Sequence, residues 1–475
     1  MLEKIQNSRT AVAAKVSLAR AVSALSGRAR HSGTTLPGRV VKTLDKDIIR
    51  NLAARLPQGS ALVSATNGKT TTCAMIAAIM ERAGLRVARN SEGANLAAGV
   101  ATALLRNASM TGRLQADLGL FEVDEGAFPG VVAQSSPRLV LLMNLFRDQL
   151  DRYGELEHIA ERWREAVAGL DGVAGGAQVV LNADDPLVAA MAGENPENYL
   201  FFGINDSTAG GLVMQHASDS KYCPRCGALF DYEAFFAGHM GKYSCPSCGN
   251  ARPSPTVYAD NISFNGMSGS TFDLVTPAGQ VTVKIPLPGL YNVYNALAAA
   301  AACTGLEIEI EHIREGLESF TAAFGRVEQL QIAGRKVCLL LVKNPAGFNE
   351  VVRTLLIEPG EKSLLLALND KIADGRDISW IWDVDLEKLS GAVDAAICTG
   401  TRAEEMSMRL KYAGIDQERI RAQPDLKRAL EQALAQTPPD ETLYVLPTYT
   451  AMLALRQAIH QHFRPDREMG DLVWK

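Results

Sequence analysis

Ala61-Leu62-Val63-Ser64-Ala65-Thr66-Asn67-Gly68-Lys69-Thr70-Thr71-Thr72 sets the reading of this chain. A short apolar run predicts a buried strand, Thr-Asn-Gly predicts a turn, and the alanine-rich spacing from Thr71 to Glu81 predicts a helix. Strand, loop and helix in that order build a phosphate site. Gly68 lets the backbone approach a polyphosphate, and the first amides of the helix have no partner of their own, so they point at an anion. Lys69 brings a point charge to the outer phosphates, and the Thr70 hydroxyl is placed to ligate Mg²⁺. Val63 stands where a full Walker A loop has its first glycine, so an ordinary surface turn is the alternative reading.

Outward from the loop, strands alternate with helices. Leu85 to Ala88 leads into Asn90-Ser91-Glu92-Gly93-Ala94-Asn95, and Ala116 to Gly126 is a strand ending in Glu122, Asp124 and Glu125. Ligands gather at the carboxyl ends of strands in doubly wound folds, so these acids face the phosphates, with Glu122 joining Thr70 around Mg²⁺. For Asp124 and Glu125 a solvated acidic loop is the alternative. Further strands at Leu139 to Asn144 and Val179 to Leu181 predict a parallel sheet covered on both faces. Beyond Arg326 the pattern restarts, with strands at Lys336 to Val342, Ser363 to Leu368, Ala395 to Thr399 and Thr442 to Leu446. The chain thus divides into a basic helical arm over 1–44, an ATP-binding unit over 45–324 with an insertion over 218–255, and a C-terminal doubly wound α/β domain over 325–475.

Composition narrows the class. With 475 residues, 47% apolar and 21% charged, the chain has the makeup of a soluble globular protein. A net charge of −5 gives no electrostatic reason to expect nucleic acid. No apolar run reaches the roughly 20 residues that cross a bilayer. Arg9 to Ser26 is read as an amphipathic helix packed on the body, with docking on a membrane surface as the sharper alternative. After it, Thr35-Leu36-Pro37-Gly38 reads as a break, and Asp45 to Leu56 as a helix.

The cysteines split into four singles, Cys73, Cys303, Cys338 and Cys398, set in apolar runs, and one cluster. Nothing suggests disulfides, which points to a reducing cytoplasm. Cys223-Pro224-Arg225-Cys226 and Cys245-Pro246-Ser247-Cys248 form C-x₂-C-x₁₈-C-x₂-C with Gly227 and Gly249 after each pair, the spacing of a closed Zn²⁺ site. Four thiolates leave no position for water, so the predicted role is a structural clip. The aromatics Phe230, Tyr232, Phe235 and Phe236 are expected to be exposed and to pack on the host domain or a substrate.

Together, Ala65 to Thr71, Asn144 to Asp151, Leu181 to Asp185, Pro288 to Ala299 and Phe324 to Glu328 resemble the Mur ligases, which join an amino acid to a carboxylate through an acyl phosphate. The cysteine insertion, Lys343-Asn344-Pro345-Ala346-Gly347 and Asp374-Gly375-Arg376-Asp377 make the resemblance closest to the MurT family. This implies a Mur-ligase-like P-loop ATPase domain carrying a zinc ribbon. It implies ATP-dependent amidation of the D-glutamate of lipid II, ammonia coming from a GatD-like glutamine amidotransferase in a heterodimer, in the cytoplasm at the inner face of the membrane. It also implies that Thr66, Asn67, Gly68, Lys69, Thr70, Thr71, Asn292, Asn295 and Arg326 contact ATP, and that Asp377 completes the partner's Cys-His pair. For Asn292 and Asn295, local hydrogen bonds at a helix start are the alternative; for Asp377's loop, a structural clamp through Arg376.

Departures from the ordinary Mur pattern are informative. No lysine lies between Lys69 and Lys221, so the carbamylated lysine that holds a second Mg²⁺ in many Mur ligases has Arg162 as its nearest counterpart, and arginine stays protonated. Gln149 stands where histidine is usual. Lys343 and Asn344 replace an Asp and a His, which favours ammonia over an amino acid as acceptor. Lys343 is placed to stabilise the acyl-phosphate charge, an exposed loop lysine being the alternative. Two other functions remain: an autonomous amino-acid ligase, and a zinc-ribbon ATPase acting as an interaction module.

Overall fold

The computed structural model describes residues 15–19, 22, 35–90, 93–109, 111–147, 156–170, 176–193, 195–215, 218–320 and 328–462. Its strands are β1 (Ser60–Ser64), β2 (Val87–Arg89), β3 (Leu118–Glu122), β4 (Leu139–Leu142), β5 (Gln178–Asn182), β6 (Leu200–Ile204), β7 (Asp231–Ala237), β8 (Met240–Ser244), β9 (Val257–Phe264), β10 (Ser270–Thr276) and β11 (Gly279–Ile285). The second part of the chain adds β12 (Glu328–Ile332), β13 (Arg335–Leu339), β14 (Lys362–Ala367), β15 (Val393–Thr399), β16 (Ile420–Ala422) and β17 (Thr442–Pro447).

One sheet runs β11-β10-β9-β6-β5-β4-β1-β3-β2. From β2 to β9 the pairs are parallel, whereas β9, β10 and β11 form an antiparallel extension absent from the sequence reading. The alternating burial of β10 shows why: Ser-Thr-Phe-Asp-Leu-Val-Thr has period two and covers one face only. In β1 all five residues are buried. Ala61 and Val63 enter the core beneath the helices Lys69–Arg82 and Leu290–Gly305, and Leu62 enters the opposite core with Trp163 and Phe128. Helices on both faces therefore explain the apolar run.

Register positions the site. Val63 pairs with Glu122 and Ser64 with Leu142, so the segments following β1, β3 and β4 leave the same edge side by side.

Two local expectations change. The segment expected to break at Pro37 is a helix, Leu36–Leu44, because Pro37 falls in its first turn, where no amide hydrogen is needed. Gly38 packs so closely on the helix Ala97–Asn107 that a Cβ would collide with Ala98 O, and its N–H donates to Thr102 Oγ1 at 2.9 Å. The helix expected from Asp45 to Leu56 is shorter, Ile48–Ala53. Of the segment 9–26, residues 15–19 and 22 are described; Val16 and Ala19 are buried, and Lys15 Nζ pairs with Asp45 Oδ2 at 2.6 Å.

The second sheet runs β12-β13-β17-β14-β15-β16, parallel apart from β12 with β13. It meets the rest of the chain through the helix Pro345–Ile357, whose Arg353 Nη1 donates at 2.7 Å to Phe236 O in β7, a strand of the separate hairpin β7–β8, and through Glu358 Oε1, which accepts at 2.8 Å from Met267 N between β9 and β10. Among the described residues no helix is long and apolar enough to cross a membrane.

Candidate active site

The helix after β1 begins at Lys69, two residues earlier than the spacing predicts, because Gly68 caps it with φ +90°. That left-handed backbone favours glycine. Space demands it too, since a Cβ at Gly68 would run into Asn295 Oδ1. The loop is tied down on its far side: Thr66 Oγ1 accepts from Phe146 N at 3.0 Å, and Asn144 Oδ1 accepts from Asn67 N at 2.9 Å.

Lys69 is buried, and its Nζ donates to Glu125 Oε2 at 2.9 Å and to Ala65 O. Burial alone lowers its pKa, but the charges of Glu125 and Glu122 outweigh this and leave it raised. Glu125 mirrors it: burial raises the carboxyl, and Lys69 with Lys343 brings it below the usual carboxylate value. Asp124 and Glu125 are thus buried rather than solvated. Thr70 Oγ1 lies 2.9 Å from Glu122 Oε2, so a hydroxyl and a carboxylate converge beside the loop, both hard oxygen donors. The backbone of Glu122 is held by Asn90, whose Oδ1 accepts from Glu122 N at 3.0 Å.

Across the loop stands the second sheet. Asn344 caps the helix Pro345–Ile357 through Gly347 N, and its amide exchanges hydrogen bonds with that of Asn67 at 3.0 and 3.3 Å. Between the sheets lies a cleft bordered by Asn67, Gly68, Phe146, Met240, Tyr291 and Tyr294, with Lys343, Asn344 and Glu350 on the C-terminal side.

Other predicted residues sit as follows. Asn295 also borders the cleft, yet its Nδ2 donates to Asn292 Oδ1 at 3.2 Å, and Asn292 Nδ2 donates to Pro288 O at 2.7 Å. Thr71 borders the cleft beside Gly68. Arg162 reaches Gly126 O at 3.4 Å. Arg326 and Gln149 lie outside the described residues. Asp184 and Asp185 are structural ties. Asp184 accepts from Tyr294 Oη at 2.6 Å and Arg252 Nε at 2.5 Å, and Asp185 accepts from Leu145 N at 2.9 Å.

The four cysteines of the insertion come together, with all four sulfurs within 4.8 Å of one another. Each pair sits in the same tight turn: Gly227 N donates to Cys223 O at 2.8 Å and Gly249 N to Cys245 O at 3.1 Å, both glycines having positive φ. Sγ of Cys223 is 3.6 Å from that of Cys248, and Sγ of Cys226 is 3.5 Å from that of Cys245. A tetrahedral ion with bonds of about 2.3 Å needs edges of about 3.8 Å, so the cluster can hold a metal. Burial raises the Cys223 thiol, but hydrogen bonds from Arg225 N and Asn250 Nδ2 bring it down to about 6. Phe230 and Phe236 are buried rather than exposed: Phe230 packs on the knuckles with Tyr243, and Phe236 joins the host core, the packing expected of these aromatics.

Asp377 lies apart, exposed on the loop that follows β14. The Ser379 backbone N–H, at 2.8 Å from Oδ1, and the Ser379 side chain hold its pKa down. Trp382, nearby, is 49% exposed and sits 5.8 Å from Tyr412.

The residues that sequence reasoning missed, Asn144, Phe146, Met240 and Glu350, come from three separate segments. Of these, Asn144 and Phe146 carried a signal, since both fall within the quoted motif Asn144 to Asp151.

Comparison with known proteins agrees with this architecture. The family model described as Mur ligase middle domain matches residues 63–235 and 241–303, and that described as MurT ligase C-terminal matches 341–452. The subunit MurT of lipid II isoglutaminyl synthase (glutamine-hydrolyzing) from Staphylococcus aureus strain COL is 32% identical over 91% of this chain and 94% of its own length. Its counterpart from Streptococcus pneumoniae is also 32% identical, over 94% and 98%. A pseudomurein peptide ligase type C from Methanothermus fervidus has the same fold, with a TM-score of 0.65 at 24% identity over 84% of this chain and 78% of that one. The chain therefore belongs to the MurT family of Mur ligases.

Proposed function

We propose that this chain activates the α-carboxylate of the D-glutamate in lipid II with ATP and passes the acyl phosphate to ammonia, forming D-isoglutamine. The observation that carries this reading is a division of labour. The charged phosphate loop faces Lys343 and Asn344 inside the cleft, and Asp377 stands outside it on an exposed loop. Relatives over nearly the whole chain are named as a subunit of a glutamine-hydrolyzing synthase, which supports a partner. We assign the ammonia supply to a glutamine amidotransferase of the GatD type.

Thr66 to Thr71 cradle the phosphates, Lys69 held by Glu125. Asn295 buttresses Gly68, and Asn292 orients Asn295. Arg326 is retained as a nucleotide contact. Thr70 and Glu122 are the oxygen pair that would hold Mg²⁺, and the ion, when bound, neutralises charge on the outer phosphates. The γ-phosphoryl leaves the β-phosphate oxygen for the carboxylate oxygen. Ammonia then attacks the carbonyl carbon, and phosphate departs as the nitrogen loses a proton. Lys69 and Lys343 stabilise the charge in both steps. Asn344 is engaged with Asn67 and its own helix, which supports ammonia rather than an amino acid as the acceptor.

Asp377 is ionised, as an acceptor for the partner's histidine must be. The four cysteines hold Zn²⁺ as a structural clip, with no open position for chemistry. Lipid II as substrate brings the chain to the inner membrane surface as a peripheral, cytoplasmic protein. An ¹⁸O-labelled glutamyl carboxylate tests the chemistry: with ATP and ammonia, label should appear in inorganic phosphate, and Lys69→Ala should abolish it. Unlabelled phosphate alongside amidated product would refute the acyl phosphate.

A further inference from the structure

One end of this acidic chain is basic. Residues 4–44 hold eight lysines and arginines and no acid, although the whole chain has a net charge of −5. Within this stretch the helix Leu36–Leu44 presents two faces. Pro37, Gly38 and Val41 are buried, Gly38 resting on Ala98 of the helix Ala97–Asn107. The opposite face carries Leu36, Val40 and Leu44 at helical spacing, with Leu36 42% and Leu44 64% exposed and Val40 half-buried. Thr43 Oγ1, on the same face, donates to Arg39 O at 2.9 Å, so it adds no unmatched donor there. Arg39 is exposed beside this stripe, Lys42 is half-buried, and Lys46 is exposed just past its end. Among the described residues none of these three cations has an ion-pair partner, and the nearest exposed acid in sequence, Asp47, is held by Arg50 Nη1 at 3.2 Å. Lys15 binds Asp45, and Val16 and Ala19 share a core with Val41, so the described part of the basic arm is fastened beside this helix.

We propose that the helix Leu36–Leu44, with the basic arm, docks on a membrane surface containing anionic lipid, Leu36 and Leu44 entering the headgroup boundary while Arg39, Lys42 and Lys46 meet lipid phosphates. Charge complementarity selects this occupant. Each cation near an anionic surface contributes about 1 kcal/mol, and apolar contact supplies the second signal that stable anchoring needs. A second copy seated on the same face would set like charges against each other. The face also lies where a membrane-borne substrate needs it. Gly38 packs on the first turn of the helix Ala97–Asn107, Asn95 O just before that helix accepts from Asp124 N at 2.9 Å, and Asn90 Oδ1 holds Glu122 N. The docking helix is thus one element away from the Thr70 and Glu122 pair. That last argument rests on lipid II being the substrate, whereas the docking itself does not.

Co-sedimentation of the full chain with vesicles tests this, using phosphatidylcholine alone and phosphatidylcholine with about 30% phosphatidylglycerol. Wild type should bind the anionic vesicles at least about tenfold more tightly than the neutral ones, and less tightly as salt rises. Arg39→Gln/Lys42→Gln/Lys46→Gln should lose about tenfold or more of that affinity, and Leu36→Ser/Leu44→Ser about fivefold. Both variants should melt with wild type, since none of the five side chains is in the core. Equal binding of wild type to the two kinds of vesicle, or binding to neither, overturns the inference, as does wild-type affinity in both variants. A dimer in solution that Leu36→Ser/Leu44→Ser dissociates, with no vesicle binding, assigns the face to a second copy and overturns it too. Failure of the proposed function looks different: vesicle binding would persist while ammonia-driven amidation of lipid II is absent even in detergent micelles. With both readings correct, Leu36→Ser/Leu44→Ser amidates lipid II in micelles as wild type does and loses most of its activity on lipid II in anionic vesicles.

Discussion

Gly68 and Lys69 combine two constraints that neighbouring residues cannot share. At Gly68 the backbone is left-handed and Asn295 Oδ1 occupies the space of a Cβ. Gly68→Ala should therefore cost more than the roughly 1–2 kcal/mol of a left-handed L-residue and weaken nucleotide binding at least tenfold, measured by calorimetry; unchanged affinity would mean the loop tolerates distortion. Lys69 and Glu125 form a buried pair, and breaking such a pair from one side typically costs about 3–5 kcal/mol. The depressed Glu125 carboxyl stabilises the fold above its usual pKa of 4.5, and that contribution is lost as pH falls through the lower folded value. Lys69, raised above 10.5, contributes below that pH and loses its effect only as pH rises through the folded value. Glu125→Gln should thus melt well below wild type at pH 7, with the gap closing below about pH 4. A gap constant from pH 7 to pH 3 would argue against the ion pair. At this scale the contiguous motifs were legible: Thr66 to Thr71, Glu122 and the cysteine spacing could be read directly. Glu125 as partner of Lys69 and Asn344 as partner of Asn67 could not, because 56 and 277 residues separate them and only the fold joins them.

Among the elements, strands buried on both faces were legible as apolar runs, and the parallel core of the first sheet and the strands of the second follow from them. The antiparallel β9 to β11 and the hairpin β7–β8 were not. The period two of β10 runs over only seven residues, and the place of these strands depends on long-range pairing. The hairpin carries the cysteine knuckles, and its turn residues Ala237 and Met240 border the cleft. Metal removal therefore has a local and a distant effect. Chelation, or Cys245→Ser, should open the segment between Ser218 and Pro255 to protease and weaken nucleotide binding several-fold, while the melting of the central sheet moves little. Resistance to protease after verified metal loss would show that the knuckles hold without an ion.

For the whole molecule the central relation is the closure of two sheets over one cleft. The clasp is made by Arg353 on Phe236 O and Ala209 O, Glu358 on Met267 N, and Asn344 on Asn67. Arg353→Ala leaves those carbonyls unmatched and should destabilise the chain by about 1–3 kcal/mol, with ATP turnover falling further than ATP binding if closure serves to bring Lys343, which borders the cleft, to the phosphates. Equal losses in both would place Arg353 in the fold alone. Asp377 is exposed on the loop after β14 and is not among the residues bordering the cleft. Amidation of lipid II by the chain with the proposed amidotransferase partner and ATP, driven by glutamine or by free ammonia, in wild type and Asp377→Ala, tests this division most directly. The account predicts that Asp377→Ala keeps ammonia-driven amidation and loses the glutamine-driven reaction. Amidation from neither source, with the chain alone joining an amino acid to the precursor, would contradict it.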